Sequence, residues 1–267
     1  MNSETPQELN EFCQAACEAA RLGGEVLLKW LGKASPQKKG FRDWVTKADF
    51  ESQEVIRDFL AREFPDHRFI GEEDLPGESL LVSPDDYCWI VDPLDGTTNY
   101  VHQLRSFAVS IGLRRGEQTA VGCVLDPILD ETFAAMLGQG ATLNGQAIKT
   151  SGANEIGDSL FVFSLGRGCE RDDPQVIRFL NILEEAGSIR RLGSAALNLC
   201  YVACGRTDAY WATELKKWDV AAGWLIAKEA GATIEDFTGR PLDIEKPFFC
   251  AAASDALFEQ AKPLLNV

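Results

Sequence analysis

Residues 89–113 read WIVDPLDGTTNYVHQLRSFAVSIGL, and the decisive stretch within them is Asp92-Pro93-Leu94-Asp95-Gly96-Thr97-Thr98. An apolar run of strand type, Tyr87–Val91, precedes it, and a second, Ser106–Arg114, follows it. The two carboxylates stand three residues apart. Pro93 fixes the backbone between them, and the Leu94 carbonyl adds a further oxygen of the kind hard cations take. Gly96 lets the main chain approach a ligand closely, and N–H groups at a helix start can cradle phosphate. On its own the segment reads first as a hydrogen-bonded Asx turn, and only its company of further acids raises the metal reading. An EF-hand does not fit, because the Asp/Asn rhythm is missing and Gln103 stands where the bidentate glutamate belongs.

Further acids lie at element ends on both sides. The short apolar run His67–Gly71 ends in Glu72-Glu73, and Lys217-Trp218-Asp219 opens a helical pattern continuing Val220-Ala221-Ala222-Gly223. Helical spacing predicts a first helix over 8–31 and a second from Thr46–Asp49 to about Arg62, closed by Pro65. The runs 106–114, 120–125 and 131–137 predict an antiparallel meander. Beyond Asn144, strands near 160–164, 207–211, 231–235 and 248–252 are expected to alternate with helices near 174–186, 194–204, 218–230 and 254–265. No linker or repeat interrupts the pattern, and the longest stretch without expected structure is Asp74–Asp86. The expectation is one domain over 1–267, with an N-terminal α+β half to about 145 and a C-terminal α/β half from about 146.

The 267 residues carry 41 acidic and 26 basic side chains, a formal charge of −15, so nucleic acid is not expected as a partner. An acidic chain handling an anionic substrate needs local positive charge, and a bound divalent cation supplies it economically. No stretch nears the roughly 20 apolar residues of a membrane span, and the N-terminus lacks a leader pattern, which reads as a cytoplasmic protein without a membrane partner. The eight cysteines form no CxxC pair and, with His67 and His102 the only histidines, read as reduced core thiols rather than a zinc site. There is no GxSxG and no GxxxxGK[ST].

Taken in order, GEE at 71–73, the 89–113 segment and WDVAAG at 218–223 resemble the inositol monophosphatase family of sugar-phosphate phosphatases, the likeness running over about residues 45–240. The resemblance implies an α/β layered sandwich, αβαβα, of the inositol monophosphatase/fructose-1,6-bisphosphatase type, commonly a homodimer. It implies two or three Mg2+ ions held by Glu72, Asp92, the Leu94 carbonyl, Asp95 and Asp219. It gives Asp49, Glu72 and Thr97 the catalytic task of orienting and deprotonating a metal-activated water. It places substrate against Asp95, Gly96, Thr97, Gly193, Ser194, Ala195 and Asp219, and it implies lithium inhibition. Read from the residues alone, Asp49 is first a helix cap and Thr97 a turn hydroxyl, while Gly193-Ser194-Ala195 is equally a helix-packing turn. Trp218 reads as a packing residue that aims Asp219.

The pattern departs at one position. Inositol-specific members carry a sugar-contacting glutamate seven residues before the WD aspartate, where this chain has Ala212; Glu214 stands two residues on, and Lys216 and Lys217 offer charge to a second anionic group. The expected function is a phosphomonoesterase for a small phosphorylated metabolite, inositol monophosphate-like or a sugar phosphate. The alternatives are a histidinol-phosphate phosphatase, a 3′(2′),5′-bisphosphate nucleotide phosphatase, or a non-catalytic metal-binding scaffold.

Overall fold

A computed structural model describes residues 4–41, 43–74 and 86–267. The stretch expected to lack structure, Asp74–Asp86, lies almost wholly outside the described residues. Helix α1 spans Pro6–Trp30, starting two residues before the expected 8 because Thr5 and Glu8 form a capping box ahead of the apolar pattern. A hairpin of β1 (Gln37–Gly40) and β2 (Asp43–Val45), not expected from the sequence, leads into α2 (Lys47–Glu63).

Next come β3 (Arg68–Gly71), β4 (Tyr87–Asp95), a five-residue helix α3 (Thr97–Val101), β5 (Ala108–Arg115), β6 (Gln118–Asp126), β7 (Glu131–Met136), β8 (Ala141–Leu143) and β9 (Gln146–Ala147). These strands form a seven-stranded sheet in sequence order, β3 parallel to β4 and the others antiparallel. The second half contributes β10 (Leu160–Ser164), α4 (Pro174–Glu185), β11 (Ser188–Arg190), α5 (Ala195–Ala203), β12 (Ala209–Ala212), α6 (Lys217–Glu229), β13 (Thr233–Glu235), β14 (Phe249–Ala252) and α7 (Asp255–Leu265). Its five-stranded sheet has the order β11-β10-β12-β14-β13. The strands expected from 207 and 231 begin two residues later, and β11 was not expected.

Side-chain alternation sorts these elements into layers. Trp89, Val91, Val109, Ile111 and Cys123 face α1 and α2, whereas Cys88, Ile90, Ala108 and Val124 face α5 and α6. In the smaller sheet Val162, Tyr210, Ala212, Phe249 and Ala251 point to the same inner helices, while Phe161, Phe163, Ala209, Trp211 and Cys250 pack on α4 and α7. The order is therefore helix pair, sheet, helix pair, sheet, helix pair, the expected αβαβα sandwich. All eight cysteines are unpaired. No helix among the described residues is long and apolar enough to cross a membrane.

The middle layer is thin because its residues are small. Ala221, Ala222 and Gly223 let α6 lie directly on β5 and β6, and a methyl group on Gly122 would sit 2.6 Å from the Ala222 carbonyl oxygen. No rotamer change relieves a contact with backbone, so α6 itself would have to shift. Gly122→Ala is expected to cost about 2 kcal/mol, lowering the melting temperature by roughly 5 °C. An unchanged transition in calorimetry would show that the helix has room to spare.

Candidate active site

Three elements from both halves of the chain meet at one point. Strand β4 ends in Asp92, Leu94 and Asp95, α5 begins after Ser194, and α6 carries Asp219 in its first turn. Pairing of β4 with β5 shifts register between Asp92 and Asp95, where Pro93 interrupts the ladder. Asp92 Oδ1 accepts from the Leu94 amide at 3.0 Å, so the Asx turn forms and fixes one oxygen while leaving the other. Gly96, at φ +93°, then turns the chain into α3.

Asp95 is held by the start of α5. Ser194 Oγ donates to Asp95 Oδ2, as does the Ala196 amide at 2.8 Å, while the Ala195 amide reaches Oδ1 at 3.2 Å. Ser194 also caps α5 by accepting from the Leu197 amide. In the structure, then, the turn expected to meet substrate spends Ser194 Oγ and the Ala195 amide on Asp95. Gly193 remains the exposed part of that turn. Asn99 locks it to α3, donating to the Ser106 and Leu192 carbonyls at 2.7 and 2.8 Å. Asp219 accepts from the Lys216 amide at 2.7 Å as the third residue of α6.

Asp92, Asp95 and Asp219 each present an oxygen within 4.8 Å of the other two. Glu72 joins from β3, its amide bonded to the Val91 carbonyl at 3.1 Å. Burial, reinforced by Glu72, Asp95 and Asp219, drives the Asp92 carboxyl well above its ordinary range. Burial and Asp219 push Glu72 up to about 8, opposed by Lys39. Burial and Asp95 push Asp219 up to about 7. Burial also raises Asp95, opposed by the hydrogen bonds from α5. Carboxylates about 4 Å apart at an effective dielectric near 20 repel by about 4 kcal/mol per pair. A cation among them removes that cost.

The remaining expected residues lie around this cluster. Thr97 Oγ1 donates to the Leu94 carbonyl at 3.1 Å, so that oxygen already has one partner and keeps a second lone pair. Asp49 is 1% exposed and accepts from the Thr46 amide and hydroxyl at 2.8 and 2.7 Å, which realises its capping role. Burial nonetheless pushes it up to about 6 against those bonds. No hydrogen bond joins Asp49 to Thr97 among the described residues.

Several participants gave no sequence signal. Lys39, on the β1–β2 hairpin, reaches Glu73 at 2.9 Å and Glu72 at 3.6 Å, one cation against two acids. Gln53 receives the Glu73 amide and donates to Asp74, which in turn accepts from the Gly71 amide and Arg57. These bonds hold the GEE turn against α2. Arg167, before α4, pairs with Asp43 and draws Asp219 downward, against burial. Lys39 lies in the short, wholly exposed strand β1 and Arg167 in a loop, neither with periodicity; only Ser194, a hydroxyl just before a helical pattern, carried a recognisable capping signal.

Comparison with known proteins matches this geometry to a family. The inositol monophosphatase family model matches residues 8–265. Inositol monophosphatase 1 of Solanum lycopersicum is 41% identical over 242 residues, 88% of this chain and 88% of its own. The Nus factor SuhB of Pasteurella multocida is 37% identical over 235 residues, covering 86% and 87%. The solved inositol monophosphatase of Anabaena superposes with a TM-score of 0.84 at 35% identity over 97% of this chain and 96% of that one. A match this continuous in sequence, over a fold that superposes on a solved member, makes the chain a member of the inositol monophosphatase family and a phosphoric monoester hydrolase.

Proposed function

We propose that this protein is a Mg2+-dependent phosphomonoesterase acting on a small phosphorylated metabolite, inositol monophosphate-like or a sugar phosphate. The observation that carries the reading is the convergence of Asp92, Asp95 and Asp219 oxygens within 4.8 Å in a buried place. The donor set is wholly oxygen, with the Leu94 carbonyl and Glu72 beside it, and that chemistry suits Mg2+ and excludes soft metals. Burial and mutual repulsion raise these carboxyls, a cost that a bound cation would relieve. When bound, Mg2+ supplies positive charge to the phosphate and acidifies water beside it.

The chain's own groups do the rest. Asp95 is held rigid by α5, so it enters the site without reorganising. The Gly96–Thr97 turn presents backbone N–H groups to phosphate, with exposed Gly193 opposite. Asp49, poised near 6, accepts a proton from the attacking water at its carboxylate, with Thr97 Oγ1 and Glu72 orienting that water. We infer a single domain, since one core draws residues from both halves, and a homodimer on the family likeness.

A second reading, a non-catalytic metal-binding scaffold, is prompted by the relatives named Nus factor SuhB. The intact acidic cluster favours catalysis. Phosphate release from inositol, sugar, histidinol and 3′(2′),5′-bisphosphate nucleotide phosphates decides between them. The expected result is Mg2+-dependent release from at least one, abolished by EDTA and reduced by roughly a thousandfold in Asp95→Asn. Absence of release from the whole panel would favour the scaffold.

The same carboxyls set a pH dependence. Their folded pKa values lie above the unfolded values of 3.8 and 4.5, so the metal-free native state keeps protons that the unfolded chain has lost. Stability in EDTA is therefore full below about pH 4 and falls as pH rises through 6 to 8. Thermal scans in EDTA should show the melting temperature dropping over that window, with Mg2+ flattening the slope. A metal-free transition independent of pH there would contradict the electrostatic reading.

A further inference from the structure

Helix α1 carries Cys13 and Cys17 one turn apart, so both thiols lie on the same face of the helix. Beneath them Cys123 rises from β6, in register with Ala134 of β7, fully buried between sheet and helix. The Cys17 thiol hydrogen-bonds both neighbours, Cys13 along the helix and Cys123 across to the sheet. Cysteines expected to be sealed in the core are thus only half-buried at 13 and 17.

A cavity of about 700 Å3 opens beside them between α1 and the outer face of β6 and β7. Cys13 and Cys17 line it, and Met136 adds a thioether. Glu18, Glu25 and Asp130 also border it, against Arg21 as its one base, and Arg21 is already paired with Glu18 and Glu25. The opening is therefore negative and its lining rich in sulfur. No histidine borders it among the described residues.

Chemistry separates the possible uses of these thiols. Hydrogen bonding to Cys17, with burial, pushes the Cys13 thiol up, and hydrogen bonding to Cys123, with burial, does the same to Cys17 against the bond from Cys13. Neither then supplies the thiolate that attacks an electrophile. Zinc takes four ligands, and the aspartate trio is the only set of three candidate ligands mutually within 4.8 Å among the described residues, so the thiols form a chain and not a cage. A soft monovalent ion is satisfied by two sulfurs and binds them tightly enough to displace their protons. Metal–sulfur bonds of about 2.3 Å place two thiolates about 4.6 Å apart across a linear ion, which neighbouring thiols reach by a small torsional adjustment.

We propose that Cys13 and Cys17 form a soft-metal site, distinct from the aspartate cluster, which takes one Cu+ or Ag+ from the cavity beside α1. Binding changes no oxidation state: two thiols and one M+ give a bis-thiolate complex and release two protons. The aspartate cluster does not compete for the ion, because its donors are all oxygen.

The test loads the full-length protein, in Mg2+, with Ag+ as a redox-inert stand-in for Cu+, in the presence of excess glutathione, which strips silver from single thiols. About one Ag+ per chain is expected to remain, with two sulfurs at about 2.3 Å in X-ray absorption. Cys13→Ala and Cys17→Ala should each lower retention at least tenfold, because one thiol alone does not compete with glutathione. Cys169→Ala, which removes another half-buried thiol in the loop before α4, should retain as much as the parent. Loss of all silver from the parent, retention unchanged in Cys17→Ala, or retention lost in Cys169→Ala would overturn the proposal. Should a variant fail to fold, the absorption spectrum of the loaded parent still decides, since a shell of oxygen or of a single sulfur would equally overturn it.

Discussion

Carboxylates of like charge do not gather out of water unless something compels them, and here the compulsion is hydrogen bonding to Asp95. The Ser194 hydroxyl and the Ala195 and Ala196 amides hold that side chain across a sequence gap of a hundred residues. The bond set joins the end of β4 to the start of α5, and so ties the two halves of the chain at the point where Asp92 and Asp219 also arrive. Burial then acts on every acid in the group, and each becomes harder to ionise. The protein thus stores repulsion at one place and leaves it for a cation to relieve.

The layers exist in a form that makes this meeting possible. Helices α5 and α6 lie between two sheets, and both begin at the acidic centre, so their N-termini, the positive ends of their dipoles, face the carboxylates. Small residues in α6 bring that helix close to β5 and β6, which sets how far Asp219 stands from Asp92. On the outside, Lys39 from the hairpin and Arg167 before α4 add positive charge at the rim. Packing, helix direction and charge therefore agree on one location, as a consistently folded sequence requires.

Much of this was legible from the residues. The long strand ending in Asp92-Pro93-Leu94-Asp95, the helices opening at Thr46 and near 194, and the small-residue opening of α6 are local patterns with local causes. The β1–β2 hairpin was not legible, because Gln37–Gly40 is exposed throughout and shows no alternation of apolar and polar side chains. Strand β11 is three residues long, too short for a period to show. The partner of Ser194 was hidden for another reason. A hydroxyl before a helix announces a cap, but only the fold reveals that it also grips Asp95. The same holds for Asp49, which closes a capping box while burial raises its carboxyl.

The account's central claim is that the Asp92, Asp95 and Asp219 oxygens form a hard-cation site. Anomalous diffraction from crystals soaked in Mn2+, a stand-in for Mg2+ with the same oxygen preference, tests it most directly. The account predicts a strong peak about 2 Å from oxygens of all three aspartates. A peak elsewhere, or none at saturating Mn2+, would contradict it.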